Sequence, residues 1–480
     1  MDPELADALV RIGLSSVASG ETPLVAAEPI DVTPLEAARR LARRRRLALL
    51  DSSLAGGRVG HWSYLGVDPF LVIRARGRRV ELRAGPDCAA LTADPFAVVS
   101  QLMRAVSVPE EPGLPPFVGG AIGYFGYDLG RLLERLPDRL TPDPDLPDID
   151  LGFFDRLLAW DHEEERGWLI GLEVDEQRGS LRDLREEIEG LQPPEPMPAH
   201  HLTAVEFRSN VSRADYLATV RRVLEEIAAG EVYQVNVSQR LEATWVGTAW
   251  EAYERLRGAS PVPFGAFLQL DTDTAILSAS PERFLRLDGR RVETRPMKGT
   301  RPRGGTSAED ERLAAELACS PKDRAENAMI VDVLRNDLGR ACRTGSVTVQ
   351  ELCTVEPYAT VWQMVSSVIG ELRPGLDSLD LLRACFPGGS ITGAPKIRAM
   401  ELIEELETVR RGVYCGAIGY LSATGAMDAS VAIRTLVLDG QRLLLSVGGG
   451  IVADSDPEAE YEESLVKARA ALRAFGGHLA

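Results

Sequence analysis

Lysine can lose its proton near neutral pH and attack as an amine, whereas arginine stays charged and unreactive. This chain writes lysine four times among 54 basic residues: Lys298, Lys322, Lys396 and Lys467. Lys298 stands in Glu293–Arg303, ETRPMKGTRPR, a stretch that reads as a nucleophile's setting or as a basic surface turn. Carboxylates recur in pairs. Asp323 and Glu326 are three apart in SPKDRAENAMIVDVLRNDLGR (320–340). Glu460 and Glu463 are three apart in ADSDPEAEYEESLVKARAALRAF (453–475), with Lys467 one turn beyond. On a helix, that spacing puts both acids of a pair on one face. Two such pairs facing each other offer oxygen ligands to a hard cation such as Mg²⁺, which keeps waters and bridges to an anionic substrate. Taken singly, each pair is also what a helix N-terminus favours for its dipole.

Glycines mark where a ligand can approach backbone N–H groups. LLLSVGGGIV (443–452) ends in Gly448, Gly449 and Gly450. CFPGGSITGAPKIRAMELIEELE (385–407) is a glycine-rich loop carrying Ser390 and running into a helix that starts at Pro395 and Lys396. Free N–H groups at such a helix start suit a carboxylate or phosphate. A nucleotide-binding loop fails on detail, because Ala394 stands where its lysine must be. Arg434, set among apolar residues in VYCGAIGYLSATGAMDASVAIRTLVL (413–438), calls for an anionic partner: a ligand or an internal carboxylate. No histidine lies between 202 and 477. Chemistry in that region runs without imidazole.

Recognisable elements must position these groups. Ser320 and Asp456 are N-cap residues, each followed by proline at the first helical position. Ser212 opens a helix whose apolar stripe is Tyr216, Val220, Val223, Leu224 and Ile227, ending at Gly230. EVYQVNVSQRLEATW (231–245), PFGAFLQL (263–270) and TAILSASPERFLRL (274–287) read as strands, with Glu282 after a Ser-Ala-Ser-Pro turn. Residues 413–438 read as two strands around a glycine turn, with Arg434 inside the second. Region 1–175 alternates short strands and helices. A charged, then proline-rich stretch at 176–204 reads as a linker, and 205–475 holds the motifs.

Composition narrows the class. Apolar residues make up 45% and charged residues 26%, as in a soluble globular protein. No apolar run approaches the roughly 18 residues that span a bilayer. The acidic start MDPELADALVRIG lacks the basic and apolar regions of a signal peptide, so a cytoplasmic protein without membrane association is expected. The six cysteines form no C-x-x-C pair, so neither a zinc site nor a disulfide framework is indicated. With a net charge of −18 and no long basic stretch, no nucleic-acid partner is expected.

Several of these motifs together resemble the chorismate-utilising enzymes: SPERF, KGTRPR, GGSITGAPKIRAMELIEELE, CGAIGYLS, AIRTL and GGGIVADSDPEAEYEES, in one order over about 205–475. LLDSS, HWSYLGVDP and GGAIGYFGYD carry a weaker match over about 20–170. The resemblance implies an α+β fold, a large two-layer β-sandwich surrounded by helices, with a Mg²⁺-dependent site in the C-terminal portion. It places the metal on Glu326 and Glu463, supported by Glu460 and by Asp323, which stands where relatives often carry Glu. It places the chorismate carboxylates on Arg434, Tyr414 and the N–H groups of Gly448 and Gly450, with Ser390 and Lys396 in the adjacent loop. Glu282 matches the acid that protonates the C4 hydroxyl.

Three positions separate the branches of this family. Gln234 lies where water-adding members carry a lysine base, which makes ammonia the nucleophile. Lys298 lies where anthranilate-forming members carry alanine and aminodeoxychorismate-forming members carry lysine. Gln363 lies where a histidine tied to pyruvate elimination often stands. Together they imply 4-amino-4-deoxychorismate as product, on the route to 4-aminobenzoate and folate. The alternatives are the anthranilate-forming branch of tryptophan synthesis and an aminodeoxyisochorismate-forming one. In the implied mechanism Lys298 attacks C2 while Glu282 protonates the leaving hydroxyl, and ammonia then expels the lysine. Ammonia in this family comes from a glutamine amidotransferase subunit; no cysteine here stands in a G-x-C-x-G motif, so a partner is expected to supply it. LLDSS (49–53) and SPVPF (260–264) resemble segments that bind feedback tryptophan in the anthranilate-forming members.

Overall fold

The computed structural model describes residues 1–44, 46–54, 58–174, 180–191, 205–358 and 361–479. Burial with a period of two builds its sheets. In the strand Phe264–Gln269, Ala266 and Leu268 enter one apolar cluster and Phe267 the other. In Thr274–Ser280, Ile276 enters the first cluster while Ala275, Leu277 and Ala279 enter the second. Successive side chains point to opposite faces of a strand, so a strand covered on both faces must be apolar at nearly every position. That is why these segments read as near-continuous apolar runs.

The first cluster is filled from two sheets that pack on each other. Tyr64 and Ile276 come from one, and Ile122, Leu285 and Ile418 from the other. The rings of Tyr64 and Tyr420 meet across the gap edge to face, 5.3 Å apart. The second cluster lies on the outer face of the first sheet. Trp250, Tyr253 and Leu256 of the helix Ala249–Ala259 cover it, with Ala468 and Leu472 of the helix Pro457–Ala474. This is the two-layer sandwich with surrounding helices anticipated above.

Among the described residues the first sheet has thirteen strands and the second twelve. Each takes strands from both halves of the chain. In the first, Ala48–Asp51 pairs with Phe264–Gln269, Asp51 opposite Gly265. In the second, Gly120–Phe125 pairs with Ala417–Ser422, Phe125 opposite Ala417. Regions 1–175 and 205–475 are therefore interleaved through both layers. Most of the 176–204 stretch between them lies outside the described residues. Within it, Leu181–Gly190 forms a helix capped by Ser180 that sends Leu184 and Ile188 into the second cluster.

Local signals set the helices that matter for function. Ser320 accepts the N–H of Asp323 at the start of Pro321–Ala341, and Asp456 accepts that of Ala459 at the start of Pro457–Ala474. Ser212 caps Arg213–Ala228 in the same way.

Shared sheets predict shared stability. Residues 205–480 expressed alone would expose the edges that normally pair with Ala48–Asp51 and Gly120–Phe125. The expected result is a species without a single cooperative unfolding transition, restored by coexpression with residues 1–191. Urea unfolding followed by circular dichroism checks this, and a cooperative transition for the isolated C-terminal piece would contradict it.

Candidate active site

Two places where the chain passes from one sheet to the other lie side by side, and each delivers a charged residue. Between Thr274–Ser280 of the first sheet and Arg283–Asp288 of the second stands Glu282. Between Met427–Val431 of the second sheet and Thr435–Asp439 of the first stands Arg434. The crossings are stitched together. Val431 N–H donates to Glu282 O at 3.0 Å, Ser280 Oγ–H donates to Val431 O at 2.6 Å, and Ala279 N–H donates to Arg434 O at 3.1 Å. Arg434 thus sits in the turn between strands, not inside one as its neighbours suggested. Its φ is +50°, a left-handed conformation unusual for a side-chain-bearing residue and costing roughly 1 kcal/mol or more. Among the described residues its guanidinium makes no hydrogen bond or ion pair, which leaves it available to an anion.

Glu282 is only 5% exposed, and burial pushes its carboxyl up to about 7. The Ser390 hydroxyl, Lys298, the Met297 N–H and Arg434 all pull the other way. A carboxyl held near 7 can serve as a proton donor.

Lys298 lies on the strand Met297–Pro302, paired with Val361–Glu371. The register slips between Met297 and Thr300, where Gly299 takes φ +80°. Such a bulge re-aims side chains, and here Lys298 Nζ donates to Ser390 O at 3.1 Å. Burial lowers its pKa; the carboxylates of Glu326, Glu282 and Glu463 oppose that, and the ammonium of Lys467 reinforces it. Gln363, on the facing strand, accepts a hydrogen bond from Thr300 Oγ1 at 3.0 Å.

Gln234 opens the strand Gln234–Thr244 and is fully buried. Among the described residues neither atom of its amide has a hydrogen-bond partner. It meets Lys298 at Gly450, where a Cβ would lie 2.8 Å from Gln234 Nε2 and 3.4 Å from Lys298 Nζ. Glycine at 450 therefore keeps open the space between the amide and the amine. Gly448 uses its carbonyl to accept from Lys467 Nζ at 2.9 Å. Tyr414 is buried beside Arg411, whose guanidinium lies 5.8 Å from its ring, and burial raises its phenol's pKa.

The glutamates gather from two helices. Glu326 comes from Pro321–Ala341, Glu460 and Glu463 from Pro457–Ala474. Burial raises the pKa of Glu326 and of Glu460, and repulsion from Glu463 adds to both. Ser455 Oγ–H donates to Glu460 at 2.6 Å. Lys467 lies 2.9 Å from Glu463 and lowers its pKa. Lys322 lies 4.0 Å from Glu326 and 3.7 Å from Glu460. An all-oxygen, carboxylate-rich donor set of this kind fits a hard divalent cation in its chemistry. Among the described residues, though, no three such groups close into a ligand shell. Asp323 is not turned to this cluster: its carboxylate accepts from Arg301 Nη2 at 3.1 Å.

Lys396 stands apart as well. Its Nζ donates to Asp337 Oδ2 at 2.6 Å and to Cys385 O at 3.0 Å. Asp337 is eleven residues beyond Glu326 on the same helix, about 16 Å along it. Lys396 thus closes the Cys385–Lys396 loop that presents Ser390. The sequence shows Lys322 only as one of four lysines, with no role, and does not single out Tyr358. Tyr358 is near enough to Glu282 and Arg434 to interact with both electrostatically, and no local pattern announces it.

A separate cavity of about 290 Å³ opens between the sheets, lined by Asp51, Ser52, Tyr64, Pro263, Phe264 and Arg283 among others. The segments 49–53 and 260–264 both contribute to it.

Residues 52–473 match the family of chorismate binding enzymes. The chain belongs to that family. It is similar to aminodeoxychorismate synthase component 1 of Klebsiella aerogenes, 43% identical over 87% of this chain and 91% of that one. It is also similar to anthranilate synthase component 1 of Pseudomonas putida, 39% identical over 96% of each. In three dimensions it resembles anthranilate synthase component I of Streptococcus pneumoniae, with a TM-score of 0.78 and 32% identity over 88% of this chain and 94% of that one.

Burial of Glu282 makes stability depend on pH in a definite direction. The folded chain holds this proton up to about 7 against an ordinary 4.5. The stabilisation from protonation is therefore full below about 4.5 and is lost as pH rises through 7, up to about 3 kcal/mol. Glu282→Gln cannot ionise. It should be more stable than the parent at pH 8, with the difference shrinking at pH 5; urea midpoints at the two pH values test this, and equal differences would refute it.

Proposed function

We propose that this chain adds ammonia to C4 of chorismate and releases 4-amino-4-deoxychorismate, the precursor of 4-aminobenzoate. The observation that carries the reading is the partly buried amine of Lys298, with lowered pKa, held by Ser390 O beside a protonatable Glu282 and the unpartnered amide of Gln234. The water-adding branch carries its lysine at the position of Gln234, and the anthranilate-forming branch carries alanine at that of Lys298. Three relatives named aminodeoxychorismate synthase component 1 are 43–44% identical to this chain.

Arg434 and Tyr414 bind the carboxylates of chorismate, and the backbone of Gly448–Gly450 lets the ring come close. Neutral Lys298 forms a bond to C2 as the ring double bonds shift and the C4–O bond breaks. Glu282 gives its proton to that oxygen, which leaves as water. Ammonia then forms a bond to C4, the double bonds shift back, and the C2–N bond breaks to return the lysine amine. The Glu282 carboxylate takes the surplus proton from the new C4 amine. Gln234, lacking a base, does not activate water and leaves the site to ammonia. Glu326, Glu460 and Glu463 would hold Mg²⁺; when bound, the ion neutralises the ring carboxylate and makes C2 electrophilic. A glutamine amidotransferase subunit supplies the ammonia, and the complex works in the cytoplasm.

Pure protein given chorismate, Mg²⁺ and ammonium at about pH 8.5 should yield a product that keeps its enolpyruvyl group, read by mass. An added lyase should convert it to 4-aminobenzoate. Lys298→Ala and Glu282→Gln should each lower kcat about a hundredfold or more. Fluorescent anthranilate with released pyruvate would instead assign the chain to the anthranilate-forming branch.

A further inference from the structure

The glutamate cluster raises a question that the proposed chemistry leaves open. Glu460 is 4% exposed and Glu326 is partly buried, yet like charges from two helices face each other there. Buried carboxylates without a cationic partner are strongly destabilising. The chain must therefore balance them whenever no metal is bound.

We propose that Lys322 is a tethered counter-cation for this site, holding Glu326 and Glu460 in the metal-free protein and withdrawing when a divalent cation enters. The inference rests on the reading that these glutamates hold such a cation. Three observations support it. The Lys322 ammonium spans the two helices, 4.0 Å from Glu326 of its own helix and 3.7 Å from Glu460 of the other. A divalent cation taken up by these same carboxylates would be repelled by the ammonium beside them.

The second observation separates Lys322 from its neighbour. Lys467 is fixed twice, by Glu463 at 2.9 Å and by Gly448 O at 2.9 Å. Among the described residues Lys322 has no such anchor: its partners there are the two carboxylates, and its side chain is 47% exposed. Its own ammonium can swing into solvent without being stranded in a buried place. The third is the choice of residue. In a chain that writes arginine almost everywhere, this position is one of four lysines. An arginine fork would lock onto a carboxylate with two parallel hydrogen bonds, whereas an ammonium on a flexible stem is a releasable point charge.

The consequence is a competition that lowers metal affinity. Lys322 and Lys467 already offset two of the three charges on Glu326, Glu460 and Glu463, so a dication overcompensates them. An entering dication is then best tolerated together with the two carboxylates of the substrate. Metal and substrate should therefore bind with positive coupling, and Lys322 sets part of it.

The test is Mn²⁺ binding without substrate, followed by the electron paramagnetic resonance signal of the free ion. Lys322→Gln should bind Mn²⁺ about tenfold more tightly than the parent, the scale for one unit charge near 4 Å on a half-exposed side chain. Lys322→Arg, which keeps the charge, should not tighten binding. In EDTA, Lys322→Gln should melt below the parent, and saturating Mg²⁺ should raise its Tm by more than it raises the parent's. Equal Mn²⁺ affinity in Lys322→Gln and parent, with binding lost in Glu326→Gln, overturns the role of Lys322 and leaves the metal reading intact. Mn²⁺ binding that is indifferent to both Glu326→Gln and Glu460→Gln overturns both.

Discussion

The site depends on one ladder. Val235 to Thr244 pairs antiparallel with Ile451 to Arg442 over ten consecutive positions. This ladder fixes where Gln234 ends and where the three glycines lie. The loop that offers Ser390 O to Lys298 hangs on the same strand end, because Gly393 and Ala394 pair with Val235 and Gln234. The approach is close: a Cβ on Gly393 would lie 2.1 Å from Gln234 O, and one on Gly448 would lie 2.3 Å from Val237 O. A slip of one residue would turn every side chain of the strand to the opposite face. The amide, the amine's acceptor and the glycine opening are thus all indexed to one hydrogen-bonded register.

Around that register, burial acts on two groups of opposite charge and drives both toward neutrality. It raises the carboxyl of Glu282 and lowers the amine of Lys298. In water the two would form an ordinary ion pair. In the seam between the sheets, where burial reduces solvation, each is eased toward its uncharged form, the form in which an acid can give a proton and an amine can attack. Placing both at points where the chain leaves one sheet or bulges against its partner lets them face inward without breaking a central ladder.

Much of this was legible in the residues, because local signals are written locally. The caps at Ser212, Ser320 and Asp456, the proline-started helices and the two-faced apolar strands all follow from short-range rules. What the residues hid is long-range. Arg434 read as strand because its neighbours are apolar; only the change of sheet at Ala432–Arg434 shows the turn. Asp323 and Glu326 are three apart, yet Arg301, remote in sequence, captures the first. Lys396 sits within a ligand-like loop, but its partner Asp337 lies on another element. Lys322 stands out only as one of four lysines; nothing in its neighbours says that a second helix brings Glu460 to it. Nor does the proline-rich stretch after Gly190 reveal that strands on either side of it return to the same two layers.

The scarcity of lysine has a practical face. Reagents that acylate or reductively alkylate primary amines find four side-chain targets in this chain. Three of them surround Glu326, Glu460 and Glu463, and the fourth is held against Asp337. The arginine-coated surface stays silent to such reagents. Labelling stoichiometry, followed peptide by peptide, is thus a built-in reporter of what occupies the site, with no engineered probe and no turnover required.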